Sequence, residues 1–138
     1  MKNPTLTRLT IAGALAACLA LSGCGSSNTP TAPGIQPQIA NLTDDFSYQV
    51  TSVANFTGTA PYTWQNTGIS ANINQSTTVS GGNMTLVITD ANGTQVYSRS
   101  LADNGTFVTA DGVAGTWTIR VTYSGASGTV NFRAQKKT

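Results

Sequence analysis

Acid and base side chains are scarce in this 138-residue chain, which limits the catalysis that its sequence can support. There is no histidine and no glutamate, and the acidic side chains are five aspartates. General acid–base catalysis near neutral pH therefore falls to these aspartates and to four tyrosines. Asp44 and Asp45 are neighbours, so on a strand their carboxylates would point to opposite faces. We predict that the protein is not an enzyme.

The other three aspartates stand in sequences that are typical of turns. Asp90, Asp103 and Asp111 each come shortly before a glycine or an asparagine. Aspartate is common at such positions because its side chain accepts hydrogen bonds from the nearby backbone. This turn role accounts for all three residues, so we predict no metal site and no cofactor. A calcium site among them is the alternative.

The two cysteines belong to the N-terminal part of the chain, where their surroundings indicate export. Lys2 and Arg8 precede an uncharged apolar run, residues 11–21, that contains Cys18. This run is too short to cross a bilayer core of about 30 Å, which needs about 20 apolar residues. It ends in small residues, as a signal-peptide cleavage site requires. We therefore predict a signal peptide over residues 1–23.

The residues at the end of this run, Leu21, Ser22, Gly23 and Cys24, resemble the lipobox of bacterial lipoproteins. The resemblance implies cleavage between Gly23 and Cys24, a diacylglycerol thioether on the Cys24 sulfur and an acylated amino group. Several acyl chains together hold a protein firmly on a membrane, whereas one chain binds only marginally. The alternative is an ordinary secretory peptide with an incidental cysteine.

The residue after the cysteine bears on localisation. In lipoproteins of two-membrane bacteria an aspartate at that position marks retention in the inner membrane, and here the residue is Gly25. The resemblance therefore implies the outer membrane, with the protein facing the periplasm or the cell surface. In an organism with a single membrane the same anchor faces outward.

Removal of the signal peptide also changes the charge balance. The whole chain has a formal net charge of +2, but two of its seven cations lie before residue 24, which leaves five cations against five aspartates. A neutral chain whose only clustered basic residues, Lys136 and Lys137, lie in the C-terminal tail has no basic face for nucleic acid. With Cys18 removed and Cys24 lipidated, no thiol remains for a disulfide or a metal.

Composition divides the rest of the chain into two parts. Residues 24–41 are rich in glycine, serine, asparagine, threonine and proline, which predicts an extended tether. Residues 42–138 are predicted to form one domain. Apolar and polar residues alternate there over short runs, as in strands. Residues 57–59 and 124–128 are predicted as turns.

Two strand elements are predicted most clearly. Residues 84–89 and 94–98 read as a hairpin around Asn92-Gly93, because Asn-Gly favours the positive φ angles of a tight turn. Residues 116–123 are typical of a half-buried strand. Its inner face is predicted to carry Trp117, Ile119, Val121 and Tyr123. Its outer face is predicted to carry Thr116, Thr118, Arg120 and Thr122.

Seven to nine short strands with turns at this spacing predict an all-β fold, an antiparallel β-sandwich of jelly-roll type. The order of strands and turns resembles two small jelly-roll modules of secreted proteases, the pre-peptidase C-terminal domain and the proprotein-convertase P domain, and the stretch Gly115 to Val121 resembles a late strand of the P domain. The resemblance implies a module that binds, assists or stabilises without being catalytic. The acidic calcium-binding clusters of some relatives are not evident.

A candidate binding site lies near the predicted second strand. Sugar-binding sandwiches place flat aromatic rings beside amide groups, because the C–H faces of a sugar stack on the ring while its hydroxyls need hydrogen bonds. Tyr62, Trp64 and Asn66 are the nearest approach to such a set. The alternative is that both rings pack in the core.

The sequence therefore predicts a non-enzymatic, lipid-anchored protein of the cell envelope that acts as a binding or structural module. One alternative is a carbohydrate or cell-surface recognition domain, and another is a calcium-stabilised accessory module. Strand edges with few charges also permit pairing with an envelope protein. The predicted partners are thus a membrane and an envelope protein or glycan, and nucleic acid is not among them.

Overall fold

A computed structural model describes residues 34–138, so the predicted signal peptide, Cys24 and the first part of the predicted tether lie outside the described residues. The described chain forms seven strands and no helix. The strands are β1 (Gln38–Leu42), β2 (Asp45–Asn66), β3 (Ala71–Gln75), β4 (Thr78–Thr89), β5 (Gln95–Ser100), β6 (Gly105–Val108) and β7 (Gly115–Lys136). Within residues 34–138 no helix is long and apolar enough to cross a membrane.

The two long strands, β2 and β7, build the fold around a shared bend. Each is 22 residues long, and they pair antiparallel from Asp45 opposite Gln135 to Asn66 opposite Gly115. The register shifts three times between Val50 and Gly58, which marks the bend. The second half of β2 then lies over the first half, as shown by the distance of 5.5 Å between the Tyr48 ring and the Tyr62 ring.

The bend divides the strands between two facing sheets. In the first sheet, β1 and the first half of β2 are followed by the second half of β7, then by β3 and β6. In the second sheet, the second half of β2 is followed by the first half of β7, then by β4 and β5. This order, with all pairs antiparallel, is the jelly-roll arrangement with β1 as an added edge strand. The predicted fold class is confirmed.

The strands differ from the prediction in their length. Residues 57–59 and 124–128 were predicted as turns between short strands, but they lie inside β2 and β7, at the bend where each strand passes from one sheet to the other. Sheet corners and turns use the same small residues, so the sequence does not distinguish them. Gly128 has a φ of 138°, and a Cβ there would collide with the backbone carbonyl of Thr78.

Alternating side chains from both sheets fill the space between them. The rings of Trp64 and Trp117 meet edge to face at 5.9 Å. Each indole N–H is satisfied, since Trp64 Nε1 donates to the Leu42 carbonyl at 3.1 Å and Trp117 Nε1 donates to the Val113 carbonyl at 2.7 Å. The inner face predicted for residues 116–123 is confirmed, with Trp117, Ile119, Val121 and Tyr123 all buried.

The folded part begins earlier than the predicted boundary at Leu42. Ile35 is only 2% exposed and belongs to the core, and β1 pairs along its whole length with β2. The sequence predicted residues 38–41 as part of the tether. Four of the five residues of β1 are exposed, so the segment lacks the alternation of buried apolar residues by which a strand is recognised in a sequence. Pro37 is compatible with this position, since proline is tolerated where an edge strand begins.

The sandwich has two distinct ends. The bend end contains residues 51–57 and 124–128, and Gly34 lies there against the Phe56 ring. The loop end contains the start of β2, the end of β7 and the segments 67–70, 90–94 and 109–114. Backbone hydrogen bonds join these segments, including one of 2.7 Å from Gly112 N–H to the Ile69 carbonyl. Gly34 and the residues that lead into β1 are therefore at the bend end.

Candidate functional site

The predicted sugar-binding residues are buried. Tyr62, Trp64 and Asn66 are 5%, 1% and 0% exposed. They occupy alternate positions of β2, and the alternation directs all three into the core while Pro61 and Thr63 face outward. The predicted aromatic platform for a sugar is therefore corrected: the rings pack in the interior, where no sugar can stack on them.

Tyrosine hydroxyls meet inside this core. Tyr48 and Tyr123 share a hydrogen bond of 2.8 Å between their hydroxyl oxygens. Burial raises the pKa of Tyr123 to about 12, and it raises the pKa of Tyr48 as well. Both hydroxyls are thus neutral near pH 7. The Tyr62 hydroxyl and the Asn66 Nδ2 have no hydrogen-bond partner among residues 34–138.

Asp90 has the turn role that its sequence predicts. Its Oδ1 accepts hydrogen bonds from Asn92 N–H at 3.0 Å and Thr94 N–H at 2.8 Å, and its Oδ2 accepts one from Val113 N–H at 2.9 Å. Desolvation acts to raise the pKa of Asp90, but these backbone donors outweigh it and lower the pKa below the ordinary value. The carboxylate joins the β4–β5 hairpin to the segment before β7.

The remaining aspartates differ in their contacts. Asp44 pairs with Lys136 at 2.8 Å, and Asp103 lies 3.5 Å from Arg99. Asp111 is exposed in the loop before β7. In the described part of the chain, no three His, Cys, Asp or Glu side chains lie close enough together to hold a metal ion.

The outer face of the first sheet, here called the amide face, carries an ion pair between Arg133 and Asp45. Arg133 Nε donates to Asp45 Oδ1 at 2.9 Å, and this hydrogen bond holds the pKa of Asp45 below its ordinary value. A shallow depression of about 290 Å³ lies beside the pair, where the small side chains of Ala40 and Ser47 stand opposite each other. The amides around the ion pair and the depression are Gln38, Gln49, Asn72, Asn74, Asn131 and Gln135.

The outer face of the second sheet, here called the threonine face, is built from three aligned rows across β2, β7 and β4. The central row places Arg120 between Pro61 and Val87. The flanking rows are Thr59, Thr122 and Thr85 on one side and Thr63, Thr118 and Thr89 on the other. The Arg120 side chain is exposed and has no carboxylate within 4 Å among residues 34–138.

Sequence reasoning identified only part of this surface. The alternation in residues 116–123 correctly assigned Thr116, Thr118, Arg120 and Thr122 to an outer face. Their neighbours across the sheet lie 29 to 63 residues away in the sequence, for example Thr89 opposite Thr118 and Thr59 opposite Thr122. That register depends on the bend in β2 and β7, which sequence periodicity does not reveal.

Comparison with known proteins assigns no family. No protein-family model matches the chain, and no curated protein matches it. One solved structure with a similar course of the backbone is KdgF from a Halomonas species. It is 18% identical, the similarity covers 78% of this chain and 84% of the KdgF chain, and the TM-score is 0.35. A similarity of this size supports no inference about activity or ligand.

Proposed function

We propose that the protein is a lipid-anchored, non-catalytic binding module of the cell envelope, attached to the membrane through Cys24. The observation that supports this proposal is the position of Gly34, which lies against the Phe56 ring at the bend end of the sandwich, ten residues after Cys24. Ten residues span at most about 35 Å. A lipid on Cys24 therefore tethers the sandwich by its bend end, and both outer faces stay accessible.

The contacts of the acidic groups support a non-catalytic role. Asp44 and Asp45 are engaged by Lys136 and Arg133, and Asp90 is enclosed by backbone donors. A general base must be free to take a proton from a substrate, and these carboxylates are occupied in holding segments of the fold together. The polar outer faces remain as the surfaces through which such a module would act.

The proposal is tested by the intact mass and membrane partitioning of the full-length protein expressed in a bacterium. Wild type is compared with Cys24→Ser and with Cys18→Ser, a control that removes the other thiol from the same N-terminal region. We expect wild type and Cys18→Ser to begin at Cys24, to carry added acyl mass and to fractionate with membranes. We expect Cys24→Ser to lose the acyl mass and the membrane association.

Two outcomes would contradict the proposal. If wild type lacks acyl mass and is recovered free of membranes, the chain is a secreted module rather than an anchored one. If Cys18→Ser loses lipid as completely as Cys24→Ser, lipidation does not depend on the cysteine that the lipobox identifies.

A further inference from the structure

The geometry of the threonine face points to an acidic polysaccharide as its ligand. We infer that the guanidinium of Arg120 pairs with the carboxylate of one sugar unit while the flanking threonine rows bind the hydroxyls of the units on either side. This inference rests on the proposed binding function and specifies its ligand. The site is distinct from the buried Tyr62, Trp64 and Asn66.

The charge of Arg120 is uncompensated, unlike the other arginine charges of the folded part. Arg133 pairs with Asp45 on the amide face, and Arg99 lies 3.5 Å from Asp103. Arg120 has no such partner, and it is the only charged residue among the outward-facing strand positions of the second sheet. An anionic group is therefore the chemistry that complements the centre of this face.

The surroundings of Arg120 favour a ligand with many hydroxyl groups. Three of the six flanking threonines lie one row before Arg120 and three lie one row after it, which is about 7 Å along the strands in each direction. Each threonine hydroxyl is both a donor and an acceptor, as sugar hydroxyls are. The three rows span about 14 Å, so an extended polysaccharide lying along the strands would meet hydroxyls, then the guanidinium, then hydroxyls again.

The density of charge distinguishes this ligand from other anionic partners. Binding to nucleic acid or to an anionic membrane depends on several cations acting together. The threonine face offers one cation. A polymer with one carboxylate among uncharged, hydroxylated units matches that single charge. The planar guanidinium can bind the carboxylate through two parallel hydrogen bonds.

The test measures binding of the full-length, lipidated protein in detergent micelles to hyaluronan, which carries one carboxylate in each disaccharide. The variants are Arg120→Gln and Arg120→Lys, and the matched control is Lys137→Gln, which removes one positive charge from the C-terminal tail. Thr118→Val and Thr122→Val remove one hydroxyl from each flanking row. Circular dichroism and thermal melting establish that each variant is folded.

We expect wild type to bind hyaluronan, and Arg120→Gln to weaken binding by about tenfold, since the substitution removes the charge-assisted hydrogen bonds to the carboxylate. Arg120→Lys should restore only part of the affinity, because an ammonium group cannot make the paired contact. Lys137→Gln should bind like wild type, and each threonine variant should bind more weakly. Methyl-esterified hyaluronan should bind no better to wild type than to Arg120→Gln.

Three results would overturn the inference. One is the absence of hyaluronan binding by folded wild type, another is an equal loss in Arg120→Gln and Lys137→Gln, and the third is stronger binding of the unlipidated Cys24→Ser variant to phosphatidylglycerol vesicles than to hyaluronan. None of them depends on a lipid at Cys24. If the protein carries acyl mass but does not bind hyaluronan, the proposed anchor is supported and only this ligand is excluded. If the protein is unlipidated but binds hyaluronan, the ligand is supported and the anchor is excluded.

Discussion

Four tyrosines are buried in the sandwich, and the hydroxyls of Tyr48, Tyr62 and Tyr123 differ in their hydrogen bonding. Tyr48 and Tyr123 satisfy each other across the two sheets, whereas the Tyr62 hydroxyl is buried without a hydrogen-bond partner in the described part of the chain. A buried polar group without a partner costs free energy of folding, and a satisfied one contributes only modestly. Substitution by phenylalanine should therefore have opposite effects on stability at Tyr123 and at Tyr62.

Removal of the hydroxyl in Tyr123→Phe should lower the free energy of unfolding by about 1–2 kcal/mol, because Tyr48 then loses its partner. In a domain of this size each kcal/mol lowers Tm by roughly 4–8 °C. Tyr62→Phe should leave Tm unchanged or raise it. Thermal unfolding followed by circular dichroism measures both, and a larger loss in Tyr62→Phe than in Tyr123→Phe would show that the hydroxyl of Tyr62 does have a partner.

The residue-level predictions were correct where the alternation of apolar and polar residues was used to assign buried and exposed side chains. The inward face of residues 116–123 follows from that alternation alone. The sugar-binding interpretation of Tyr62, Trp64 and Asn66 followed residue type, whereas the alternative of core packing followed the alternation, and the structure places all three side chains in the interior. Alternate residues of one strand share a face, and two large aromatic rings on one face are most easily buried.

At the scale of elements, the close approach of β4 to the bend in β7 depends on glycines, and Gly128 is one of them. Gly128 has a positive φ, and a Cβ there would overlap the Thr78 carbonyl oxygen, which is backbone and cannot rotate away. Gly93 also has a positive φ, at the tip of the β4–β5 hairpin, but a Cβ there would have no atom within 4 Å. An alanine at Gly93 therefore introduces backbone strain alone, whereas an alanine at Gly128 introduces backbone strain and a steric collision.

Gly128→Ala should be far more destabilising than Gly93→Ala. The hairpin variant bears only the strain of a side chain at positive φ, about 1 kcal/mol, whereas the bend variant must also move β4 away from β7. Urea denaturation of both variants gives the comparison. Similar midpoints would mean that β4 does not approach the bend as closely as the structure places it.

Elements whose pairing is local could be predicted, and those whose pairing is distant could not. The β4–β5 hairpin has its signal within fifteen residues, and the structure confirms it, although only Gly93 of the Asn-Gly pair takes a positive φ. The edge strand β1 was missed because its residues stay exposed. The jelly-roll class could be predicted from the number and spacing of the strands. The strand order could not, because it depends on residues 57–59 and 124–128 being bends within long strands rather than turns between short ones.

For the whole molecule, Asp44 connects segments from three parts of the chain at the loop end. Its carboxylate pairs with Lys136 Nζ at 2.8 Å and accepts hydrogen bonds from the Thr67 N–H at 2.7 Å and hydroxyl at 2.8 Å. The hydrogen bond from Lys136, followed by the one from the Thr67 backbone, lowers the pKa of Asp44 to about 2 from an ordinary 3.8. Ionisation of this group is therefore linked to the stability of the folded chain.

The sign of that linkage makes a prediction about pH. Stability from ionised Asp44 is fully present above its unfolded-state pKa and is lost as the pH falls through its folded-state pKa, from about 4 to about 2. Asp44→Asn should therefore lower Tm at pH 7 and converge with wild type near pH 2. Asparagine tolerates the positive φ of this position, so the substitution adds no backbone strain.

Asp111→Asn, in an exposed loop position, is the control for the change of a carboxylate to an amide. Melting temperatures of the three proteins between pH 2 and pH 7 provide the test. A constant difference between Asp44→Asn and wild type over that range would show that the carboxylate stabilises the loop end by its shape rather than by its charge.

The position of β7 also determines when the chain can acquire its structure. β7 lies in the interior of both sheets, and it follows in sequence every strand with which it pairs; Asp45 pairs with Gln135, ninety residues later. During synthesis, β1 to β6 emerge before either sheet has its central strand. Long-range pairing of this kind is slow because the closure of large loops must precede most favourable contacts. We therefore expect the chain to complete its fold only after β7 has been synthesised.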